Sequence, residues 1–389
     1  MTSKTRLSIL LVSTPVLAFV IVGGLFGQER SSGDRVFRHL RVFDDVVQLV
    51  LSNYVEDVKV DKAMEGALRG LADGLDPDSA YLDAKEVRSV AGNEALPDGD
   101  VGIELTRQYY LRVIAARDGS PAAKAGFQTG DFVRAIDTKP TRDMSVFEGS
   151  RLLRGAVGTK VTLTVIRGSA AEPHDIVLVR EKPAGPAVVS RLIGTDVGYL
   201  RVATFKNGSV EDIKKQTADL AKSGAKSLLI DLRHTAEGAL DNGVGAARLF
   251  VKTGTIAVKA GREKTDRVTI TARPNDAITE LPITMLVTNG TSGAAELFIA
   301  ALDGNDRGDV VGERTLGRAG VQKLVQLPEN RGLWLTYAKY LTPKGDPIHG
   351  RGIEPDVRIE EPNIEFGGAP PEKDVMLDTA LEHLRKKAA

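Results

Sequence analysis

The sequence predicts a mixed α/β protein of several domains behind a membrane-spanning helix. Residues 7–27 form an uncharged apolar run, and residues 101–179 contain short segments that alternate apolar and polar positions, as half-buried strands do. Residues 197–311 then alternate apolar strands with amphipathic helices, the order of a sheet covered by helices. The 389 residues suffice for two or three domains.

Residues 7–27 are long enough to cross about 30 Å of hydrocarbon as a helix. Lys4 and Arg6 precede the run and favour a cytoplasmic N-terminus. No A-x-A cleavage site follows, so we expect an uncleaved signal anchor, with a cleaved signal peptide as the alternative. Residues 1–33 then form a cytoplasmic stub, anchor and linker, and the rest lies in the bacterial periplasm or outside the cell.

Residues 34–95 form a predicted helical unit, with helices over 36–54 and 61–75 that end at the turn Asp76-Pro77-Asp78. Residues 97–183 form a β-rich domain. Its predicted strands are 101–105, 111–115, 132–136, 161–166 and 175–179, and its helices are 122–126 and 144–153.

Residues 187–362 form the predicted core, a mostly parallel or mixed sheet packed by helices. Its strands are 197–202, 227–232, 283–287 and 310–311, and its helices are 210–223, 243–251 and 294–302. Residues 363–389 form a linker and a last helix over 373–387, whose basic end suits the helix dipole.

Composition excludes several function classes. The 52 basic and 52 acidic residues cancel, and no nucleic-acid-binding motif is present. Cysteine is absent, which removes disulfides, thiolate metal ligands and thiol nucleophiles. The five histidines show no metal-ligand spacing. We therefore expect no metal site, no cofactor and no nucleic-acid partner.

The segment G-S-P-A-A-K-A-G-F-Q-T-G-D at 119–131, followed by F-V-R-A-I-D, resembles a PDZ domain of the kind inserted in bacterial processing peptidases. The resemblance implies a carboxylate-binding loop at 101–105, with Gly102, Ile103, Glu104 and Leu105 as peptide-binding residues. Glycine lets successive backbone N–H groups converge on a C-terminal carboxylate, and the next strand edge accepts the peptide. Glu104 replaces the usual second glycine, which leaves ligand preference open. A PDZ fold that only packs is the alternative.

Several longer blocks, among them L-L-I-D-L-R and Y-A-K-Y-L-T-P-K-G-D-P-I-H-G-R-G-I-E-P-D-V, resemble the carboxyl-terminal processing (tail-specific) serine peptidase family. The resemblance spans residues 36–387 and implies a ClpP/crotonase-like core. This family uses a serine nucleophile and a lysine base. The resemblance places the nucleophile position at Gly293 within G-T-S-G-A-A-E, and the base position at Arg318 within G-R-A-G-V-Q. Gln322, a supporting residue in the family, remains.

These residues cannot perform the family's chemistry. Glycine offers no nucleophile, and arginine stays protonated and cannot act as a base. In the family motif that builds the oxyanion hole, here D-L-R-H-T-A-E-G, Glu237 replaces the first glycine before Gly238. A carboxylate there would oppose developing negative charge. The three changes together predict a pseudo-peptidase.

Ser292 keeps a competing hypothesis open. It could cap the helix 294–302, a role that serine often fills, or act as a displaced nucleophile. One residue along a helix turns a side chain by about 100°, which argues against the second role. The sequence thus predicts an adaptor or regulator that binds protein C-terminal tails or unstructured peptides. The alternative is an active serine endopeptidase that cleaves protein C-termini. A homo-oligomer or an active paralogue as partner is left open.

Overall fold

A computed structural model describes residues 30–168, 172–362, 364–365, 368 and 371–388. They divide into two compact units between Leu68 and Arg69. Helix α1 covers Arg30–Asn53, and α2 covers Val60–Asp73, across that division. The predicted anchor at 7–27 lies outside the described residues. Among the described helices, none combines the length and the apolar character that a membrane crossing needs.

The second unit contains an antiparallel sheet that matches the predicted β-rich domain. Its strands follow the spatial order β2-β3-β4-β6-β7, with β5 beside β4, so β2 is an edge strand. Two short helices, α4 and α5, pack with this sheet. The bounds are β2 Ile103–Gln108, β3 Tyr110–Ala116, α4 Pro121–Lys124, β4 Phe132–Ile136, β5 Lys139–Pro140, α5 Val146–Leu153, β6 Lys160–Ile166 and β7 His174–Val179.

The core is a six-stranded sheet of order β17-β14-β13-β10-β9-β8. Strand β8 runs antiparallel to β9, and the other neighbours are parallel, so the predicted mixed sheet is confirmed. The bounds are β8 Val188–Ile193, β9 Val197–Val202, α6 Ser209–Lys222, β10 Ser227–Asp231, α7 Leu240–Arg248, β13 Ile283–Val287, α8 Ala294–Gly304, β14 Asp309–Gly312, β17 Val357–Arg358 and α9 Val375–Ala388.

A further five-stranded sheet and a capped helix were not predicted from the sequence. Its path is β1-β16-β11-β12, with β15 beside β16. Helix α3 begins with a capping box. The Asp83 side chain accepts the backbone N–H of Glu86, and the Glu86 side chain accepts the backbone N–H of Asp83. The bounds are β1 Ala80–Leu82, α3 Ala84–Ala91, β11 Thr255–Ala260, β12 Arg267–Thr271, β15 Gly320–Gln326 and β16 Gly332–Leu341.

The core sheet brings three distant sequence motifs to one edge. Strands β10, β13 and β14 are adjacent and parallel, so their carboxyl ends lie side by side. The segments 231–238, 290–296 and 317–322 follow these three strands in turn. Ligand sites of parallel sheets form at such edges. The ClpP/crotonase-like likeness and the domain boundaries given above stay predictions.

A candidate peptide site at the carboxyl edge of the core sheet

The three segments enclose a cavity of about 440 Å³ at this edge. Its walls come from the core, from strands of the five-stranded sheet and from strand β2. The lining residues are Asp78, Glu104, Ala236, Gly238, Ala239, Leu240, Asp241, Lys259, Gly293, Arg318, Gly320, Val321, Gln322 and Tyr340. The fold therefore gathers five residues that the sequence singled out: Gly238, Gly293, Arg318, Gln322 and Glu104.

Gly293 is the N-cap residue of α8, with φ 66° and ψ −120°. L-residues rarely adopt this conformation, and glycine reaches it without strain. A Cβ built at this position would lie 3.7 Å from the carbonyl oxygen of Arg318 and 3.9 Å from that of Ala236. These are ordinary contacts, so the cavity has room for a side chain at position 293 although none is present.

Glu296 joins the start of α8 to the loop that carries Arg318. Its carboxylate accepts the backbone N–H of Gly293 at 3.0 Å, of Gly317 at 2.6 Å and of Arg318 at 2.7 Å. The hydroxyl of Thr315 donates to it at 2.5 Å. Burial raises the pKa of Glu296, and these donors oppose that rise. The carboxylate thus fixes positions 293 and 318 relative to each other.

Two carboxylates from different parts of the chain hold the Arg318 side chain. Its Nε donates to Oδ1 of Asp78 at 2.8 Å, and its Nη1 lies 3.8 Å from Oε2 of Glu104. The Asp78 side chain is 7% exposed and that of Arg318 is 29% exposed. A guanidinium held in this way is a fixed cation of the cavity wall.

The Glu104 carboxylate has no hydrogen-bond donor among the described residues. Its only ionic partner within the described residues is Arg318, at a distance beyond hydrogen bonding. Burial raises the pKa of Glu104 to about 7, and the nearby carboxylates of Glu237 and Asp100 add to the rise, whereas Arg318 and Arg117 lower it. Its side chain is one-third exposed and lines the cavity.

The segment 231–238, which the resemblance predicts to build an oxyanion hole, differs in part from that expectation. The Glu237 carboxylate pairs with Arg117 at 3.3 Å and with Lys206 at 2.7 Å, and Glu237 is not among the described residues that line the cavity. Two cations therefore neutralise the charge that we expected to oppose an oxyanion. Gly238 does line the cavity, and a Cβ there would lie 2.5 Å from the Phe205 backbone, so only glycine fits.

Ser292 does not cap α8, so that prediction is wrong. Gly293 is the N-cap residue, and its N–H is satisfied by Glu296 from the third helical position. The Ser292 side chain is 1% exposed, and its Oγ has no hydrogen-bond partner among the described residues. Ser292 also does not belong to the described cavity lining. Its backbone N–H donates to the carbonyl oxygen of Thr235, within the segment 231–238.

The predicted carboxylate-binding loop lies at the start of edge strand β2. Gly102 has φ 78°, and its N–H donates to the Asp100 carboxylate at 3.0 Å. Ile103 and Leu105 pack in the core of the β-rich domain, whereas Glu104 between them faces the cavity. Within the described residues β2 pairs with β3 alone. Its other edge forms no ladder with a described strand, and edges of this kind can accept an added strand.

Among the lining residues, Gln322 was expected, and its amide donates to the Thr336 hydroxyl at 3.1 Å. Other lining residues were not identified from the sequence. Asp78 was interpreted only as part of a turn. The Tyr340 hydroxyl donates a hydrogen bond to the Asp241 carboxylate at 3.1 Å. Burial and this carboxylate together raise the pKa of Tyr340. Asp78 precedes β1 and Tyr340 lies on β16, so the five-stranded sheet brings these two to the site, whereas Asp241 comes from helix α7 of the core.

Comparison with known proteins agrees with this architecture. The model of peptidase family S41 matches residues 196–359, and a PDZ-domain model matches residues 112–167. A carboxy-terminal-processing protease of Bartonella bacilliformis is 34% identical over 331 residues, which cover 84% of this chain and 76% of that protein. A carboxyl-terminal-processing protease of Synechocystis is 34% identical over 70% of this chain and 65% of that protein. The solved photosystem II D1 C-terminal processing protease superposes with a TM-score of 0.69 at 25% identity, over 82% of this chain and 92% of that chain.

Proposed function

The chain belongs to the carboxyl-terminal processing proteases of peptidase family S41 and carries a PDZ domain, and we propose that it binds protein C-terminal tails without cleaving them. It would act as an adaptor or regulator. The observation that carries the proposal is the pair of positions joined by Glu296. Position 293 offers no side chain, and position 318 offers a cation that two carboxylates hold.

Acyl transfer by a serine–lysine pair needs a hydroxyl and a neutral amine that takes its proton. We infer from the resemblance to the family motifs that Gly293 and Arg318 occupy the positions of these two groups. A guanidinium keeps its proton in proteins and cannot take one from a hydroxyl. Ser292 is a weak substitute, because it is buried outside the cavity lining. These points support binding as the remaining activity.

The PDZ domain supports the choice of ligand. Edge strand β2 can accept an extended peptide through its backbone groups, and its loop begins next to the cavity. We also propose, from the sequence, that residues 7–27 anchor the chain in the membrane with the remainder outside the cytoplasm. A homo-oligomer or an active relative would be a further partner in such a role.

The test restores the missing groups. The full chain in detergent micelles is compared with the double variant Gly293→Ser/Arg318→Lys and with the matched double variant Gly293→Ala/Arg318→Lys. Both variants add the same Cβ and the same lysine, and only the first adds a hydroxyl. An unstructured peptide with a free C-terminus and a quenched fluorophore reports cleavage, and fluorescence polarisation reports binding.

We expect binding without cleavage in the wild type, and cleavage gained only in the serine variant. Cleavage by the wild type that Ser292→Ala abolishes would instead establish the endopeptidase alternative. Absence of peptide binding by the wild type, with every variant folded, would refute the tail-binding proposal.

A further inference from the structure

The cavity and the free edge of β2 share one residue, Glu104. It lies on β2 between Ile103 and Leu105, whose side chains are buried in the PDZ core. Successive side chains of a strand point to opposite faces. A peptide added along β2 therefore directs alternate side chains toward the PDZ core and toward the cavity. Those that face the cavity would lie opposite or diagonal to Glu104.

Carboxylates outnumber cations in the cavity wall around Glu104. Asp78, Glu104 and Asp241 line it together with Arg318 and Lys259. The Nε of Arg318 is used by Asp78, and Nζ of Lys259 lies 3.2 Å from the Tyr337 hydroxyl. The Glu104 carboxylate accepts no hydrogen bond from the described residues, since its ion pair with Arg318 spans 3.8 Å. A cationic group of a ligand binds tightly beside a partly buried carboxylate that has no donor, because it supplies the missing charge-assisted hydrogen bond.

We propose that Glu104 makes this site selective for tails that carry a lysine or arginine side chain near the C-terminus. This inference rests on the proposed tail binding and adds the chemical class of the tail. The basic side chain enters the cavity and donates to Glu104, while neighbouring side chains of the tail face the PDZ core. A glycine at position 104, usual in the family, would offer no such partner.

The experiment measures binding of labelled short peptides with free C-termini to the full chain in detergent. One lysine is placed in turn at each of the last few positions, and each peptide is paired with glutamine and glutamate counterparts. At one position we expect the lysine peptide to bind about tenfold more tightly than its glutamine counterpart, and the glutamate peptide to bind most weakly.

Three variants test whether Glu104 causes the preference for lysine. Glu104→Gln should remove the preference for lysine over glutamine, and a circular dichroism spectrum like that of the wild type shows that the variant is folded. Glu104→Lys should favour the glutamate peptide. Glu172→Gln removes the same charge from an exposed turn of the same domain and should leave the preference intact.

The outcomes separate the two proposals. If glutamine and lysine peptides bind equally well at every position, or if the preference survives in Glu104→Gln, the selectivity is refuted while tail binding stands. If no peptide binds to the wild type, tail binding itself is refuted and the selectivity with it.

Discussion

The side chains of Arg318 and Asp78 join two segments that are far apart in the sequence. The Arg318 Nε donates to the Asp78 Oδ1 over 2.8 Å, and Asp78 is almost fully buried. This bond connects the turn before β1 to the loop before β15. It also determines where the cation of the cavity lies, because Glu104 approaches the same guanidinium from the PDZ domain.

Removing this guanidinium should destabilise the fold. Arg318→Met leaves the buried Asp78 carboxylate without its donor, and we expect a loss of about 1–3 kcal/mol in the free energy of unfolding by urea. The control is Arg358→Met, whose pair with Glu360 is exposed and should contribute less than about 1 kcal/mol. Equal losses in both variants would contradict a structural role for the Asp78 bond.

Ser292 and Thr291 should respond to mutation with opposite signs. The Ser292 hydroxyl is buried without a partner, so Ser292→Ala should stabilise the protein by about 1 kcal/mol. The Thr291 hydroxyl donates to the Leu232 carbonyl at 2.8 Å and accepts the Thr288 N–H at 3.0 Å. Thr291→Val should therefore cost about 2 kcal/mol. Thermal unfolding of the two variants measures both changes in stability. A lower melting temperature for Ser292→Ala would show that the Ser292 hydroxyl does have a hydrogen-bond partner.

Glu296→Gln tests the link between α8 and the loop before β15. The glutamine nitrogen cannot accept hydrogen bonds, so donors that face it lose their partner, at a cost of about 3 kcal/mol. Glu86 provides the matched control, because it accepts one backbone N–H in the capping box of α3 and glutamine can do the same. Chemical denaturation should show a large loss for Glu296→Gln and a small one for Glu86→Gln.

The pH dependence of stability should contain a contribution from Glu104. Its pKa is about 7 in the folded chain, against 4.5 as the ordinary value. Between these values the unfolded chain releases the proton that the folded chain retains, so this group lowers stability as pH rises from about 4.5 to 7. Glu104→Gln removes the effect. Its melting temperature relative to wild type should rise across that interval and then stay constant.

The control for this titration is Glu172→Gln, whose side chain is exposed. This variant removes one carboxylate of the same domain from a surface position, so it shows the effect of the charge loss alone. A flat difference in melting temperature between Glu104→Gln and the wild type would show that the folded chain does not resist ionisation of Glu104.

Apolar strands of the core were the most predictable elements. The strands Val197–Val202 and Ile283–Val287 have the bounds that the sequence predicted, because short and mostly apolar segments are typical of buried strands. The five-stranded sheet was missed. Its strands mix charged and apolar residues, and Ala80 of β1 pairs with Trp334 of β16 from far along the chain. Local periodicity carries no information about such pairing.

Long-range contacts also limited the prediction of the candidate site. Family motifs identified Gly293, Arg318, Gln322 and Gly238, and the parallel strands bring them to one cavity. The contact between Arg318 and Glu104 depends on how the PDZ domain packs on the core, which no local pattern reveals. Ser292 was misjudged because a serine before a helix resembles a cap, whereas glycine can occupy the cap position when a glutamate supplies the acceptor.

The bonds of Glu296 have an evolutionary consequence. Three of its four donors are backbone N–H groups, which every residue except proline provides, so the bonds do not depend on which side chains stand at positions 293 and 318. The Glu296 bonds therefore survive exchanges at these two positions, and the cost of an exchange comes instead from the positive φ of residue 293 and from the Asp78 pair of Arg318. Lineages can lose or regain a nucleophile there while inheriting the same scaffold, and chemistry and architecture can diverge at different rates.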